Sequence, residues 1–248
     1  MDQHPTMTAL PVLIIHTGDP DAEGLARFGS YAEQLRRAAG LAAQAVHTVA
    51  VHRGETLPDA DRYAAALITG SPAMVTDRAP WSEDAARWLA DAVPRGLPVF
   101  GVCYGHQLLA HALGGVVADN PRGREVGTQT VTLAPGARQD PLLADAPDAF
   151  PGQMQHAQSV IAPPPGARVL AASAMDPHQM LRYGPHAVSV QFHPEFDEAV
   201  TRADLQRHAG RYRAMGMDIE ALARSVRPSP YAAQLVRRFL QLHARAAA

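Results

Sequence analysis

Short apolar runs alternate along the first half of the chain with stretches in which apolar residues recur every three or four positions. Val12 to His16 is an apolar run that reads as a first strand, delivering the Gly/Asp/Pro loop HTGDPD to a sheet edge. A helix is expected around Tyr31 to Ala39, closed by Gly40. Ala45 to Val51 and Ala65 to Ile68 read as the next strands, the second following the turn-forming LPDAD. Trp81, Ala85, Trp88, Leu89 and Ala92 keep the 3.6 period behind an acidic first turn, which marks a packing helix with the tryptophans as core anchors. Pro98 to Val102 is a buried strand, and Tyr104 to Leu113 places Leu108, Leu109 and Ala112 at helical spacing. Strands alternating with helices in this way imply a parallel sheet covered on both faces.

Beyond Gly115 the rhythm changes. Val116 to Ala118 and Glu125 to Leu133 read as strands, the latter with period-2 spacing at Val126, Thr128, Thr130 and Thr132, which points to antiparallel pairing. Residues 135–151 read as loop, QMQHAQSV follows at 153–160, and Pro163-Pro164-Pro165-Gly166 breaks any element. Val169 to Ala172 and Ala187 to Gln191 are further strands. From Asp197 the pattern is helical, interrupted near Gly216 and at Pro228-Ser229-Pro230, and Tyr231, Leu235, Phe239 and Leu242 form an apolar stripe expected to dock on the sheet. The expected division is a main domain over 1–196 and a helical extension over 197–248. No internal repeat interrupts this plan.

The only cysteine, Cys103, falls on the turn between the strand Pro98 to Val102 and the helix after it. Glycines at 101 and 105 flank it as Gly-x-Cys-x-Gly, the pattern of a nucleophile elbow, in which side-chain-free neighbours let strand and helix approach around a strained residue. A thiol at the start of a helix also meets free N–H groups that favour the thiolate. A lone cysteine is equally a small apolar core residue, so the elbow needs partners. The strand ending in Val190-Gln191-Phe192-His193-Pro194-Glu195 supplies them: residues two apart on a strand face the same way, so His193 and Glu195 project together as a base and its orienting carboxylate. The loop Thr69-Gly70-Ser71-Pro72 leaves a strand at the same sheet end and is expected beside Cys103.

Composition narrows the classes. With 47% hydrophobic and 19% charged residues the chain is globular, and no apolar stretch reaches the length of a membrane span. The first ten residues lack a basic segment with an apolar core, and one cysteine forms no internal disulfide, so a cytoplasmic protein is expected. A net charge of −2 without a basic run argues against a nucleic-acid surface, leaving Arg36-Arg37 and Arg237-Arg238 as solvated helix faces. All 22 basic residues are arginine, so a lysine-dependent phosphate loop and a Schiff-base mechanism are both excluded. No cofactor and no metal are called for.

Gly101-Val102-Cys103-Tyr104-Gly105-His106-Gln107 and His193-Pro194-Glu195 resemble the GxCxGxQ and HPE motifs of the class I glutamine amidotransferases. The resemblance runs from about Val12 to Phe196. It implies a flavodoxin-like, mostly parallel α/β fold and a γ-glutamyl thioester formed on the cysteine as ammonia or an amine is released. It assigns Cys103 as nucleophile, His193 as base and acid, and Glu195 as orienter. On the same resemblance the oxyanion hole is made by the backbone N–H groups of Ser71 and Tyr104, with Gly70-Ser71 in place of the commoner Gly-Gly. Gly70, Gln107, Gln155 and His156 match substrate-binding positions, Gln107 closing over the substrate, while Gln158 stands where an aspartate is common. The GSPAMVTD loop and the helical tail resemble stand-alone members, among them the plant γ-glutamyl peptidases. The readings left open are a glutaminase that feeds a synthetase partner, a γ-glutamyl hydrolase acting alone, and a binding or regulatory protein that keeps the fold. A cysteine enzyme of the α/β-hydrolase type is disfavoured by an acid only two residues after the histidine.

Overall fold

The computed structural model describes residues 10–246. In chain order the elements are β1 (Val12–His16), α1 (Ala22–Phe28), α2 (Tyr31–Ala39), β2 (Val46–Ala50), β3 (Ala65–Ile68), α3 (Pro80–Ala92), β4 (Val99–Val102), α4 (Tyr104–Ala112), β5 (Val116–Asp119) and β6 (Glu125–Leu133). They continue with β7 (Ala149–His156), β8 (Gln158–Ala162), β9 (Arg168–Ala172), β10 (Met180–Tyr183), β11 (Ala187–Val190), α5 (Glu198–Arg207), α6 (Ala209–Ala214), α7 (Ile219–Ser225) and α8 (Leu235–Ala246).

One nine-stranded sheet, in the order β2-β1-β3-β4-β11-β10-β9-β6-β7, organises the chain, and β5 and β8 form a small ribbon beside it. The strands from β2 to β11 run parallel, whereas β10, β9, β6 and β7 pair antiparallel, as the period-2 pattern of β6 foretells. Every residue of β1, β3, β4 and β11 is buried, because helices cover both faces. One face packs Leu35, Phe100, Val188, Leu235 and Phe239, the other Leu13, Ile68, Leu89, Leu108 and Tyr183. Parallel pairing brings the ends of β1, β3, β4 and β11 to one sheet edge, where the loops that follow them meet.

Of the apolar stripe, Leu235 and Phe239 on α8 are fully buried, with Leu242 and, just before the helix, Tyr231 packed at the margin. The Phe239 ring meets Phe100 edge-on at 5.3 Å. Earlier in the extension, Leu205, Tyr212, Ile219 and Val226 close over Val126 of β6. Both tryptophans are packing residues: Trp88 donates its indole N–H to the Pro58 carbonyl at 2.8 Å, and Trp81 stacks on Tyr104.

Three local features differ from the sequence reading. Helix α1 occupies a stretch given no element from the sequence, between HTGDPD and the helix expected at Tyr31, its start fixed by Asp21 accepting from the Gly24 N–H at 2.8 Å; with a single buried residue, it has no periodicity to betray it. QMQHAQSV is two strands broken at Ala157, and the stretch 135–151 read as loop ends in the first residues of β7. Strand β10, four residues between two others, is identified by its neighbours rather than by its own pattern.

Candidate active site

Cys103 has φ 52° and ψ −102°, a left-handed backbone that a non-glycine residue adopts only where its surroundings hold it. Those surroundings are the two glycines. A Cβ on Gly101 would stand 2.5 Å from the Gly105 carbonyl oxygen, and one on Gly105 would stand 2.7 Å from Ile68 Cβ, so β4, α4 and β3 pack as closely as they do only without side chains there. The Cys103 N–H donates to the Val190 carbonyl at 2.9 Å, tying the elbow to β11.

His193 and Glu195 reach the same place by a different route from the one expected. Strand β11 ends at Val190, so both residues sit on the turn after it and strand alternation does not align them. The His193 N–H instead donates to the Gln153 carbonyl at 2.8 Å, and the ring stacks on Phe196 at 4.0 Å between centroids. Its Nδ1 lies 2.8 Å from Glu195 Oε1, in a carboxylate whose side chain is 1% exposed. Burial works against a charged ring, but Glu195 and the Cys103 sulfur outweigh it, and the His193 pKa is raised to about 10. Neighbouring His106 is the opposite case: fully buried, with Nδ1 2.7 Å from Ser189 Oγ, it is pushed down to about 3 by burial and serves as neutral packing.

The loop after β3 lies against this group. A Cβ on Gly70 would come within 3.0 Å of His193 Cε1 and 3.6 Å of Cys103 Cβ, which is why that position is glycine. The Gly70 carbonyl accepts from Thr17 Oγ1 at 2.9 Å, and Ser71 Oγ donates to the Thr17 carbonyl at 2.7 Å. Since C=O and N–H lie on opposite edges of one planar peptide, the Ser71 N–H points away from Thr17. Neither it nor the Tyr104 N–H has an acceptor among the described residues. Tyr104 is anchored from behind by its hydroxyl, 2.6 Å from Ser82 Oγ.

Ser71, Cys103, Tyr104 and His193 open into a cavity of about 320 Å³, large enough for an amino-acid-sized ligand. Gln107, Gln155 and His156 line it, and each is also held by the protein. Gln107 Nε2 donates to the Gln158 carbonyl at 2.8 Å and to Gln191 Oε1 at 3.0 Å, so the side chain is a fixed part of the wall rather than a free flap. His156 has the Gln158 carbonyl at 2.9 Å from Nδ1 and Glu125 Oε2 at 2.9 Å from Nε2. Gln155 Nε2 donates to Asp204 Oδ1. Gln158 directs its amide to Thr76 Oγ1 at 2.6 Å and Asp119 Oδ1 at 3.1 Å.

Thr17, Arg124, Asp204 and Tyr212 were not singled out from the sequence. Asp204 also accepts from the Tyr212 hydroxyl at 3.0 Å and lies 2.8 Å from His208 Nδ1, so it organises one wall of the cavity. The spacing of Asp204, His208 and Tyr212, four and eight residues apart on a helical stretch, was the available signal. One group among the described residues has metal-ligand chemistry: His16, Asp19 and His52 hold one donor atom each within 4.8 Å of one another. Arg53 already pairs with Asp19 and donates Nε to His52 Nε2 at 3.3 Å, which supplies that cluster with a cation of its own.

Fold and site together define an open-sheet α/β protein built around an elbow cysteine. Residues 27–208 match the family model described as glutamine amidotransferase class-I, and the chain belongs to that family. The glutamine-hydrolyzing GMP synthase of Thermomicrobium roseum is 40% identical over 129 residues, 52% of this chain and 23% of that protein. The Mycobacterium tuberculosis GMP synthase is 33% identical over 193 residues, 77% of this chain and 33% of its own length. The chain thus spans a third or less of these relatives. Among solved structures, a glutamine amidotransferase from Thermotoga maritima superposes with a TM-score of 0.75 at 20% identity, covering 95% of this chain and 98% of the other. A glutamine amidotransferase from Methylobacillus flagellatus gives 0.71 at 21% identity, covering 96% of this chain and 94% of the other. At these identities the two structures speak to the fold alone. No helix of the described residues is long and apolar enough to cross a membrane.

Proposed function

We propose that the protein hydrolyses a γ-glutamyl amide through a thioester on Cys103. One observation carries this reading: a cysteine held at φ 52° on the elbow faces the same cavity as a histidine whose Nδ1 is fixed 2.8 Å from a buried carboxylate. The Cys103 thiol gives its proton to His193 as Sγ attacks the γ-carbonyl carbon, the C–N bond breaks, and His193 passes that proton to the departing nitrogen. Water then enters, His193 takes its proton, and glutamate leaves as the thiol is restored. Glu195 keeps the ring oriented and stabilises it while charged. The tetrahedral oxyanion of each step is received by the N–H groups of Ser71 and Tyr104, both without another acceptor among the described residues. Gly70, Gln107, Gln155 and His156 form the glutamyl-binding wall.

The Thr17 contact to the Gly70 carbonyl supports a hole preset in the isolated chain and hence activity without a partner, and the substrate we propose for it is a γ-glutamyl compound in preference to free glutamine. The second reading, a glutaminase that supplies a synthetase partner, is favoured by the relatives, which are glutamine-hydrolyzing GMP synthases several times the length matched here. Ammonia release from glutamine and amine release from γ-glutamyl amides, measured with the protein alone and with a GMP-forming synthetase domain added, separate the two. Turnover by the protein alone that the synthetase does not raise supports independent action. Activity that appears only with the synthetase reverses that choice, and no reaction of either substrate with Cys103 sinks both.

A further inference from the structure

The cavity above Cys103 has an uneven charge pattern. Three arginines line it: Arg124 just before β6, Arg207 at the end of α5 and Arg211 on α6. Arg207 is compensated, its Nε lying 3.0 Å from Asp21 Oδ2. Arg124 and Arg211 have no carboxylate oxygen within 4.0 Å among the described residues. Arg124 is half-buried with its Nε shut away from solvent and without a hydrogen-bond acceptor, and its pKa is lowered by burial and then by the nearby charge of Arg211. The carboxylate that could have neutralised it, Asp204, is already engaged by Gln155, His208 and Tyr212. Two uncompensated guanidinium groups in one wall are costly unless an anion arrives with the ligand.

Free glutamine does not meet that need. Its ammonium and carboxylate cancel, so it brings no net negative charge to the two guanidinium groups, whereas a γ-glutamyl amino acid brings a second carboxylate on its amine half. Arg211 also lies beyond residue 208, where the family match ends, on a wall that the shared glutaminase chemistry does not require. We infer that Arg124 and Arg211 form a subsite for a carboxylate on the amine half of the substrate, so that the substrate class is a γ-glutamyl amino acid or short γ-glutamyl peptide. This rests on the γ-glutamyl hydrolase reading above. The reaction is γ-glutamyl–NH–CHR–COO⁻ plus water giving glutamate and the free amino acid, with the amide proton balance kept by His193. Arg124, forked and partly desolvated, supplies most of the recognition, while Arg211 at the exposed rim adds attraction that salt screens.

The test compares γ-glutamylglycine with γ-glutamyl ethylamide, which differ in the carboxylate of the amine half. The full chain should prefer γ-glutamylglycine in kcat/KM. Arg124→Met should reduce kcat/KM for γ-glutamylglycine about 10- to 100-fold, through KM, while leaving the ethylamide within about twofold, as expected for loss of a hydrogen-bonded charge that touches only one substrate. Arg211→Met should do the same more weakly and only at low salt. Equal losses on both substrates would assign the guanidinium groups to the glutamyl carboxylate, and no loss on either would make them idle; both outcomes overturn the inference. Calorimetric binding of the two compounds to Cys103→Ala protein separates it from the reaction itself. If no γ-glutamyl compound turns over yet γ-glutamylglycine binds and Arg124→Met weakens it, the subsite stands and the hydrolase reading falls. If binding is indifferent to Arg124, the subsite falls whatever the activity.

Discussion

Replacing Thr17 by valine tests whether the proposed oxyanion hole is set by the protein itself. The side chain is fully buried, with Oγ1 at 2.9 Å from the Gly70 carbonyl, 3.0 Å from the Thr69 carbonyl and 2.9 Å from Thr69 Oγ1. Valine keeps the shape and deletes the hydroxyl. The Thr69 carbonyl retains the Gly105 N–H at 3.2 Å, so the Gly70 carbonyl is the group left without a donor. An unsatisfied buried carbonyl costs about 1–3 kcal/mol, and that penalty falls only on the orientation in which the Ser71 N–H faces the cavity. The opposite orientation gains by the same amount, though Ser71 Oγ still holds the Thr17 carbonyl at 2.7 Å and limits the swing. Complete loss of one oxyanion donor costs about 10²–10³ in rate, and a bias of about 2 kcal/mol is about 30-fold. The expected result is a fall in kcat of about 10- to 100-fold with KM little changed. Alkylation of Cys103 by iodoacetamide is the control, because displacement at an sp³ carbon builds no oxyanion; its rate should equal that of the wild type. An unchanged kcat would refute the reasoning, and so would alkylation that falls in step with kcat, which would mean that the whole elbow had moved.

Three further outcomes are expected. Cys103→Ala should abolish turnover, whereas Glu195→Gln should keep a small residual rate, because it removes orientation and charge stabilisation but not the nucleophile; steady-state kinetics of the pair decide, and equal, near-normal rates would undo the triad. Asp140→Asn should destabilise the fold by about 3–5 kcal/mol at pH 7, since Arg182 grips that buried carboxylate with Nε at 2.8 Å and Nη2 at 2.6 Å. Burial alone would raise the Asp140 pKa, but Arg182 outweighs it and holds it below 3.8, so the stabilisation is full above that value and fades as pH falls through the lower folded one; urea unfolding should show the wild-type advantage shrinking at acid pH. Phe239→Ala should cost about 3–5 kcal/mol through the cavity left against Phe100, read as a lower urea midpoint.

Legibility followed the length of the pattern that encodes each feature. The parallel half was readable because βα units carry a long-range rhythm, and the elbow because Gly101, Cys103 and Gly105 are local in sequence. Helix α1 and strand β10 were not, since seven and four residues are too few to show a period and their positions are set by neighbours. The pairing of His193 with Glu195 was anticipated for a reason that does not hold: a turn, not an extended strand, brings them together. Thr17, Arg124 and Asp204 escaped altogether. Their chemistry comes from contacts across 53, 87 and 49 positions in sequence, with Gly70, Arg211 and Gln155 respectively, and no local pattern reports such distances.

The strain at Cys103 connects these observations. A left-handed non-glycine residue costs on the order of 1–3 kcal/mol and persists only where its surroundings over-determine it. Here the surroundings are drawn from each parallel strand that meets the site: Val190 of β11 accepts the Cys103 N–H, Ile68 of β3 packs where Gly105 has no side chain, and Gly101 of β4 lies under the first turn of α4. The Thr69 carbonyl accepts the Gly105 N–H, while the adjacent Gly70 carbonyl accepts the Thr17 hydroxyl. The thiol, the first turn of α4 and the loop carrying the Ser71 N–H are therefore held by one continuous set of contacts from β1 to β11. The proposed nucleophile and its proposed oxyanion donors, built on such a set, are aligned before any ligand arrives, which is the condition under which their electrostatic contribution to catalysis is largest.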